Sequence, residues 1–301
     1  MSVSIYCSPT HLKLIVGSAG NKSIDISNFT EVPLPDGAMI NGIITNEEIM
    51  SNFLKDIGSR MDLFSQDVSL VIDNNSIRSK VMNVPPVKES AIIEFIKREI
   101  GALAGEEEDD VCDYAVLNPA ADANGAKILA VSVNKDLLTV YKNVVEGAGF
   151  KLKSIDIGVN AIIKISKVSP QLNGTCILAI IDEKTLMLTL FEKGEFSVTN
   201  KYRIMNTENT PEWHNEIGGH ISSVLQFHKG QRSDTEVSAV YFAGIDSAQG
   251  AGFSSALTYL GINIELLNLS DIVKINDNAK SGETPINPGS FLLNIGALLK
   301  K

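Results

Sequence analysis

Residues 176–204 read CILAIIDEKTLMLTLFEKGEFSVTNKYRI. Two polar turns separate three runs that are rich in β-branched and apolar residues. These runs are Cys176–Ile181, Thr185–Phe191 and Phe196–Ile204. Such a pattern predicts three strands joined by tight turns, a β-meander. The chain starts in a similar way, with a strand at Val3–Cys7 and another at Leu12–Val16 around a Ser-Pro-Thr turn. The two halves therefore resemble copies of one design.

Helix signals follow the strands in both halves of the chain. Asn46 is a favourable N-cap residue before Glu47–Arg60, where apolar residues recur at helical spacing. Thr210 precedes Pro211, a residue favoured at the first position of a helix. A shorter helix is predicted over Ser254–Leu260. Strands and helices thus alternate, which is typical of an α/β fold.

The pattern changes near residue 77, where a second structural unit is predicted. Ile77–Val84 is extended, and the Pro85-Pro86 pair after it fits neither a helix interior nor a central strand. Lys88–Ala104 then carries isoleucines on one helical face. Two more strands are predicted at Tyr114–Leu117 and Lys127–Val133. We therefore expect an inserted subdomain with strands and helices of its own.

Charge and composition argue against several classes of protein. Lys and Arg number 26 against 36 Asp and Glu, a formal net charge of −10, and no basic cluster offsets it. Such a chain repels phosphate backbones and anionic lipid, so neither nucleic-acid binding nor direct membrane insertion is expected. No apolar run reaches the roughly 18 residues of a membrane-spanning helix, and residues 1–10 lack the layout of a signal peptide. We expect a cytoplasmic protein.

Metal and catalytic motifs are not recognised in the sequence. Cys7, Cys112 and Cys176 lie far apart in apolar stretches, so reduced, buried thiols are expected. His214 and His220 are separated by about 600° of helical turn, too much for two ligands on one helix face. The acidic run at 106–110 favours a solvated loop over a metal site. Neither a metal site nor a catalytic residue is predicted.

Short stretches spread over nearly the whole chain resemble one family. They are, in order, Val68–Ile72 with Arg78, Val84-Pro85 and Lys97–Glu99; Asp113-Tyr114, Ile128–Val133, Glu146–Phe150, Ser154–Asp156 and Ala161; Gly194–Arg203, Glu216-Ile217 and Ser222–Phe227; and Tyr241–Gly244 with Asn294–Leu298. These stretches are similar to the PilM family, the actin-like proteins of type IV pilus assembly, which are related to the cell-division protein FtsA.

The resemblance implies an actin-like (ASKHA) α/β fold with two lobes and an inserted FtsA/PilM-like subdomain. Residues 1–76, 151–172 and 285–301 would form the first lobe, 77–150 the inserted subdomain and 173–284 the second lobe. Only twelve residues separate Arg203 from Glu216, where the family usually carries a small subdomain. A reduced second lobe is therefore expected.

The resemblance also implies an adaptor of the inner-membrane pilus platform. Family members bind the N-terminal cytoplasmic tail of a membrane-anchored protein such as PilN beside the inserted subdomain, and the pilus motor ATPase is a further candidate partner. Short extended tails need apolar pockets and unpaired strand edges. The candidate residues are Arg78, Val84, Ile92, Phe95 and Arg98. Alternatively, Ile92 and Phe95 are only core residues of the insertion. The protein would lie at the inner face of the membrane, held by its partner.

Nucleotide phosphates in actin-like folds lie between two hairpin turns that offer N–H groups, glycines and an aspartate. The vestigial candidates in this chain are Ser8, Thr10, Lys13, Asp182, Lys184, Thr185 and Gly244, of which Ser8 stands where the family has a glycine. However, Tyr6 falls where the family has its aspartate, Pro9 removes an N–H donor, and Glu183 adds negative charge. Ile245 is expected to crowd the adenosine. We expect a degenerate site for ATP and magnesium; the alternatives are a nucleotide-binding actin-like ATPase and a sugar or acetate kinase.

Overall fold

The computed structural model describes residues 1–20, 22–64, 66–86, 88–104, 110–122, 125–231, 233–280 and 286–299. Its strands are β1 Ser2–Cys7, β2 His11–Ala19, β3 Ile24–Pro33, β4 Met39–Ile40, β5 Ile43–Ile44, β6 Asp67–Ile72, β7 Arg78–Val84, β8 Asp110–Asp122, β9 Gly125–Asn134, β10 Lys151–Ile157, β11 Cys176–Asp182, β12 Thr185–Glu192, β13 Glu195–Arg203, β14 Ala239–Ala243, β15 Asn263–Leu266 and β16 Val273–Lys280. Its helices are α1 Glu47–Met61, α2 Glu89–Ala104, α3 Lys135–Gly147, α4 Gly158–Ser166, α5 Pro211–Gly230, α6 Ser247–Ala256 and α7 Leu292–Leu298, with short 3-10 helices at Pro170–Asn173, Thr258–Leu260 and Pro288–Phe291.

The chain divides into two compact units. The first consists of Met1–Leu12 and Glu31–Ile157, and the second of Lys13–Thr30 and Gly158–Lys301. The division into two lobes and an inserted subdomain, which the family resemblance implies, stays a prediction.

In the first unit, β6 runs parallel to β1 on one side and to β10 on the other. The predicted cap of α1 is confirmed, because the Asn46 side chain accepts the N–H of Ile49 at 3.0 Å. Helix α3 packs against α1. The Tyr141 hydroxyl on α3 donates a hydrogen bond to the Gly42 carbonyl, in the turn between β4 and β5. This bond ties the β4–β5 hairpin to α3.

A separate three-stranded antiparallel sheet has the order β7-β9-β8. Helix α2 packs against it, and the shared core consists of Val84, Ile96, Ile100, Ile128 and Ala130. Within the described part of the chain, no strand from elsewhere pairs with this sheet. The residues predicted as an insertion thus contain a sheet and a core of their own.

The second unit contains a five-stranded sheet of order β13-β12-β11-β14-β15. The meander predicted from residues 176–204 is confirmed, since β12 pairs antiparallel with both β11 and β13. Helices α5 and α6 cover a core that includes Trp213, Phe242 and Phe253. The rings of Phe242 and Phe253 are stacked, with their centroids 4.4 Å apart. The predicted cap of α5 is also confirmed, because the Thr210 hydroxyl accepts the Trp213 N–H at 3.2 Å.

The helix predicted at Ser254–Leu260 instead begins at Ser247. Asp246 and Gln249 form a capping box in which each side chain accepts the backbone N–H of the other, at 2.8 and 2.9 Å. A Cβ on Gly250 would lie 3.0 Å from the Leu266 side chain, so this glycine gives α6 the room to approach β15. Capping and packing therefore outweigh the low helix propensity of glycine.

Strands β3 and β16 have no counterpart in the sequence analysis. They run parallel, with Val273 opposite Ile24 and Ile275 opposite Ile26. The two strands are far apart along the chain, and no local sequence pattern predicts such a pairing. Among the helices in the described ranges, none has both the length and the apolar character needed to cross a membrane.

The three cysteines are free thiols. Burial raises the pKa of Cys7 to about 12 and that of Cys176 to about 11. Both thiols therefore stay protonated at neutral pH, and a protonated thiol is a poor nucleophile and metal ligand.

Candidate functional site

The candidate partner residues of the first unit lie on β7 and α2. Val84 is only 1% exposed and belongs to the subdomain core, so it offers a partner little more than its backbone. Ile92 and Phe95 are partly buried and pack against that core. The Arg98 guanidinium lies over the Phe95 ring, 5.3 Å from its centroid, in a cation–π arrangement. Phe95 and Arg98 thus form one continuous surface feature.

Arg78 has a structural role in the same sheet. Its guanidinium donates to the Asp110 carboxylate, which also accepts the Ser132 hydroxyl. Because these residues belong to β7, β8 and β9, the cluster ties together all three strands. Asp110 was expected in a solvated loop, but it begins β8 with its side chain only 10% exposed, because Arg78 pairs with it. Residues 106–109 lie outside the described residues.

Strand β7 is an edge of its sheet. It pairs with β9 from Arg78 to Val84 without a register shift, and no second described strand pairs with it. The opposite edge strand, β8, has register shifts on both sides of Asn118. A regular edge presents an ordered row of backbone groups to an extended peptide, whereas an irregular one interrupts it. β7 is therefore the better template for an added strand.

The turn between β1 and β2 uses its own hydrogen-bonding groups. The Ser8 N–H donates to the His11 carbonyl at 2.8 Å, and the His11 N–H donates to the Ser8 hydroxyl at 2.9 Å. Pro9 has no N–H. The Thr10 hydroxyl lies 2.8 Å from His11 Nδ1. At three of the four turn positions, no N–H group is left for a phosphate.

In the second unit, two of the candidate residues meet. The Lys13 ammonium lies 2.5 Å from a carboxylate oxygen of Asp182, and the two side chains are only 4% and 13% exposed. The same ammonium donates to the Ser290 carbonyl at 3.1 Å. The positive charge that could neutralise a phosphate is therefore balanced by a carboxylate of the chain itself.

Gly244 follows β14 in the left-handed region, with φ of 84°. A Cβ there would lie 2.0 Å from the Ile181 carbonyl oxygen, so only glycine fits. Ile245 was expected to crowd an adenosine, and this expectation was wrong. Its side chain is 5% exposed and packs in the core of the second unit, two residues after the end of the buried strand β14.

The backbone at Gly244 and Ile245 is instead covered by the turn at Asn287–Ser290, which the sequence analysis missed. The Asn287 side chain donates to the Ile245 carbonyl at 3.0 Å. A Cβ on Gly289 would lie 2.9 Å from the Gly244 nitrogen, so the two backbones are in close contact. The run Asn-Pro-Gly at 287–289 is a strong turn signal and could have drawn attention to this segment.

The turn between β11 and β12 carries the remaining candidates. Glu183 has φ of 55°, a left-handed conformation that favours glycine. The Lys184 side chain is exposed, and its carbonyl accepts the Ile204 N–H at 2.8 Å. Thr185 pairs with Arg203 on β13. A nucleotide-binding role for these residues stays a prediction.

Comparisons with known proteins agree with this fold. The chain matches the family described as Type IV pilus assembly protein PilM over residues 5–196, more than half of its length. None of the curated proteins matches the sequence.

Solved structures show the same architecture. One is the PilM-PilN type IV pilus biogenesis complex, with a TM-score of 0.79 and 16% identity over 99% of this chain and 97% of that one. Another is the cytoplasmic domain of EpsL, an inner membrane component of the type II secretion system of Vibrio cholerae, with a TM-score of 0.54 and 11% identity over 99% and 95%. A third, from Bacteroides thetaiotaomicron, has an actin-like ATPase fold and unknown function, with a TM-score of 0.52 and 15% identity over 97% and 95%. The predicted actin-like fold is confirmed, and the chain belongs to the PilM family of type IV pilus assembly proteins.

Proposed function

We propose that this protein is a cytoplasmic adaptor of type IV pilus assembly. In this proposal, it binds the N-terminal cytoplasmic tail of a membrane-anchored, PilN-like protein and is held by that tail at the inner face of the cell membrane. Membership of the PilM family is the observation that carries the proposal. The likeness to a chain of the PilM-PilN complex supports the choice of partner. Contact with the pilus motor ATPase is a further part of the proposal.

The tail binds, in this proposal, along β7 and the exposed face of α2. The regular edge of β7 pairs with an extended segment, and the Pro85-Pro86 pair marks the end of that pairing. Phe95 offers an apolar contact, and the Arg98 guanidinium above its ring offers hydrogen bonds to a carbonyl or carboxylate of the tail.

Charge favours a basic tail. The chain carries a formal net charge of −10, whereas cytoplasmic segments next to membrane spans are enriched in Lys and Arg. Complementary charge raises the rate of encounter and orients the two partners. The tail would therefore combine apolar anchors with flanking basic residues.

The alternative function is that of a nucleotide-binding actin-like ATPase. It would need a cation that is available to phosphate, but the Lys13 ammonium is paired with Asp182. The contacts of the Ser8–His11 turn weigh against it as well. The adaptor is therefore the function that the geometry supports better.

Binding of a labelled peptide tests the proposal. The peptide carries the N-terminal cytoplasmic residues of the PilN-like protein of the same organism, and its fluorescence anisotropy is followed as the protein is added. We expect saturable binding. Arg98→Glu should weaken it about tenfold, because the guanidinium that donates hydrogen bonds to a carbonyl or carboxylate of the tail is replaced by a carboxylate that repels those oxygens. Arg78→Glu is unsuitable, since it would place two carboxylates together at Asp110.

Lys97→Glu is the matched control, because it makes the same charge change on the same helix at a side chain that is 52% exposed. Lys97 pairs with Glu94 at 3.6 Å, but Glu94 is 76% exposed, so the loss of this surface pair costs little, unlike the loss of the Arg78–Asp110 pair. If Arg98→Glu weakens binding and Lys97→Glu does not, the contact is local. Both variants make the chain more negative, so general attraction to a basic tail would strengthen binding in both. Equal losses in both variants would therefore contradict a local contact at Arg98. Absence of binding to the wild type would contradict the proposed function.

A further inference from the structure

Lys13 is a charged residue in the buried part of strand β2. Its neighbours Leu12 and Leu14 are fully buried, and the Lys13 side chain is itself only 4% exposed. Burying an ammonium group requires a partner that replaces its hydration. Asn294 adds to this environment, because its side chain donates to the Lys13 backbone carbonyl at 3.0 Å.

Asp182 supplies the counter-charge for Lys13. It is the last residue of β11, and its carboxylate lies 2.5 Å from the Lys13 ammonium. A carboxylate in this position offers negative oxygens to the ammonium, as a phosphate group would. The pair is formed by residues of the second unit alone, and no bound ion is required to neutralise it.

The turn at Asn287–Ser290 closes the same region. It contacts Lys13 through the Ser290 carbonyl, at 3.1 Å, and Ile245 through the Asn287 amide, at 3.0 Å. At Gly289, the backbone packs on Gly244 so closely that an added Cβ would lie 2.9 Å from its nitrogen. One short segment therefore touches both the charged pair and the glycine that was predicted to face a nucleotide.

From these contacts we infer that the second unit carries a self-filled site, in which Asp182 replaces a ligand phosphate on Lys13 and the Asn287–Ser290 turn covers the backbone at Gly244. The protein is then ordered at this site without nucleotide. Anions are kept out because Asp182 already neutralises the lysine and would repel them. This inference concerns the nucleotide that the actin-like fold implies, and it does not depend on which tail the protein binds.

Thermal unfolding with and without inorganic pyrophosphate or ATP, each with magnesium, tests the inference. The wild type should show no change in Tm. Asp182→Asn keeps the shape of the side chain but removes the carboxylate that lies 2.5 Å from the Lys13 ammonium, so its Tm should fall. Pyrophosphate should then raise the Tm of this variant by about 5 °C or more near a hundredfold excess over its Kd.

Two further variants serve as controls. Asp182→Glu retains a carboxylate and should not respond to pyrophosphate. Lys13→Met combined with Asp182→Leu replaces the ion pair by apolar groups, a change that buried pairs often tolerate, and should also not respond.

Calorimetry of the wild type keeps the inference testable even if Asp182→Asn does not fold. Micromolar binding of ATP or pyrophosphate to the wild type would overturn the inference. A folded Asp182→Asn variant without any response to pyrophosphate would overturn it as well. A response in the double variant would show that the anion binds elsewhere, which also contradicts the inference.

Discussion

Glu216 and Asn206 are joined by two hydrogen bonds. The Glu216 carboxylate accepts both the backbone N–H and the side-chain amide of Asn206, each at 3.0 Å, and it also accepts the Met205 N–H at 2.8 Å. Asn206 lies in the short segment between β13 and α5, where the sequence analysis expected a subdomain to be missing. A single glutamate on α5 thus fastens the short connection between β13 and α5.

Replacing this glutamate should loosen the connection. We expect Glu216→Gln to lower the free energy of unfolding by about 1 kcal/mol, because charge-assisted hydrogen bonds become neutral ones at a partly exposed site. Urea unfolding followed by circular dichroism measures the change. Glu212→Gln, at an exposed position of the same helix, is the matched control and should have a smaller effect. Equal effects would mean that the hydrogen bonds contribute nothing specific.

The contribution of Glu216 to the free energy of unfolding should depend on pH. Desolvation raises the pKa of Glu216, but the hydrogen bonds from Asn206 and Met205 outweigh it, so that the pKa is lowered from its ordinary value of 4.5. A carboxyl group whose pKa is lowered in the folded state adds stability when the pH is above its ordinary pKa. This stability is lost as the pH falls through the folded-state pKa. The difference in unfolding free energy between the wild type and Glu216→Gln should therefore be constant near neutral pH and shrink below pH 4.5. A difference that grows in acid would contradict this assignment.

Gly244 should tolerate no side chain. Gly244→Ala combines a left-handed φ of 84° with a Cβ 2.0 Å from the Ile181 carbonyl oxygen, so we expect a loss of about 3 kcal/mol or more. Gly219 is the control, since it lies within α5 and a Cβ there meets nothing within 4 Å. Gly219→Ala should raise stability by about 0.5–1 kcal/mol through helix propensity. Chemical denaturation of both variants gives the comparison, and a neutral Gly244→Ala would disprove the close contact.

The Gly42 carbonyl should show coupling between its two donors. It accepts the Tyr141 hydroxyl and, at 3.2 Å, the Asn74 side-chain amide. Tyr141→Phe should cost about 1 kcal/mol, because one donor remains. With Asn74→Ala added, the buried carbonyl loses both donors, so the double variant should lose more than the sum of the single changes. A double-mutant cycle measures this coupling, and strict additivity would mean that the two donors act independently.

Local signals in the sequence were sufficient for much of the fold. Asn46 and Thr210 begin α1 and α5 as predicted, because a cap is a hydrogen bond between residues three apart. The meander at residues 176–204 was predicted equally well, since alternating apolar runs and tight turns favour antiparallel neighbours. Together with the family resemblance, these elements were enough to predict the actin-like fold. The start of α6 was missed because its glycines have low helix propensity, although Asp246 before them is an N-cap residue.

The candidate sites depended on contacts that no local pattern encodes. The sequence suggested Lys13 for the phosphates and Asp182 for magnesium, and only the tertiary structure showed that they pair with each other. The tertiary structure likewise places the Ser290 carbonyl against Lys13 and the Ile245 side chain in the core. Caps, turns and apolar periodicity act over a few residues and can be read from the sequence alone. Ion pairs and backbone contacts between distant segments depend on how whole elements pack, and packing is decided only when the chain has folded.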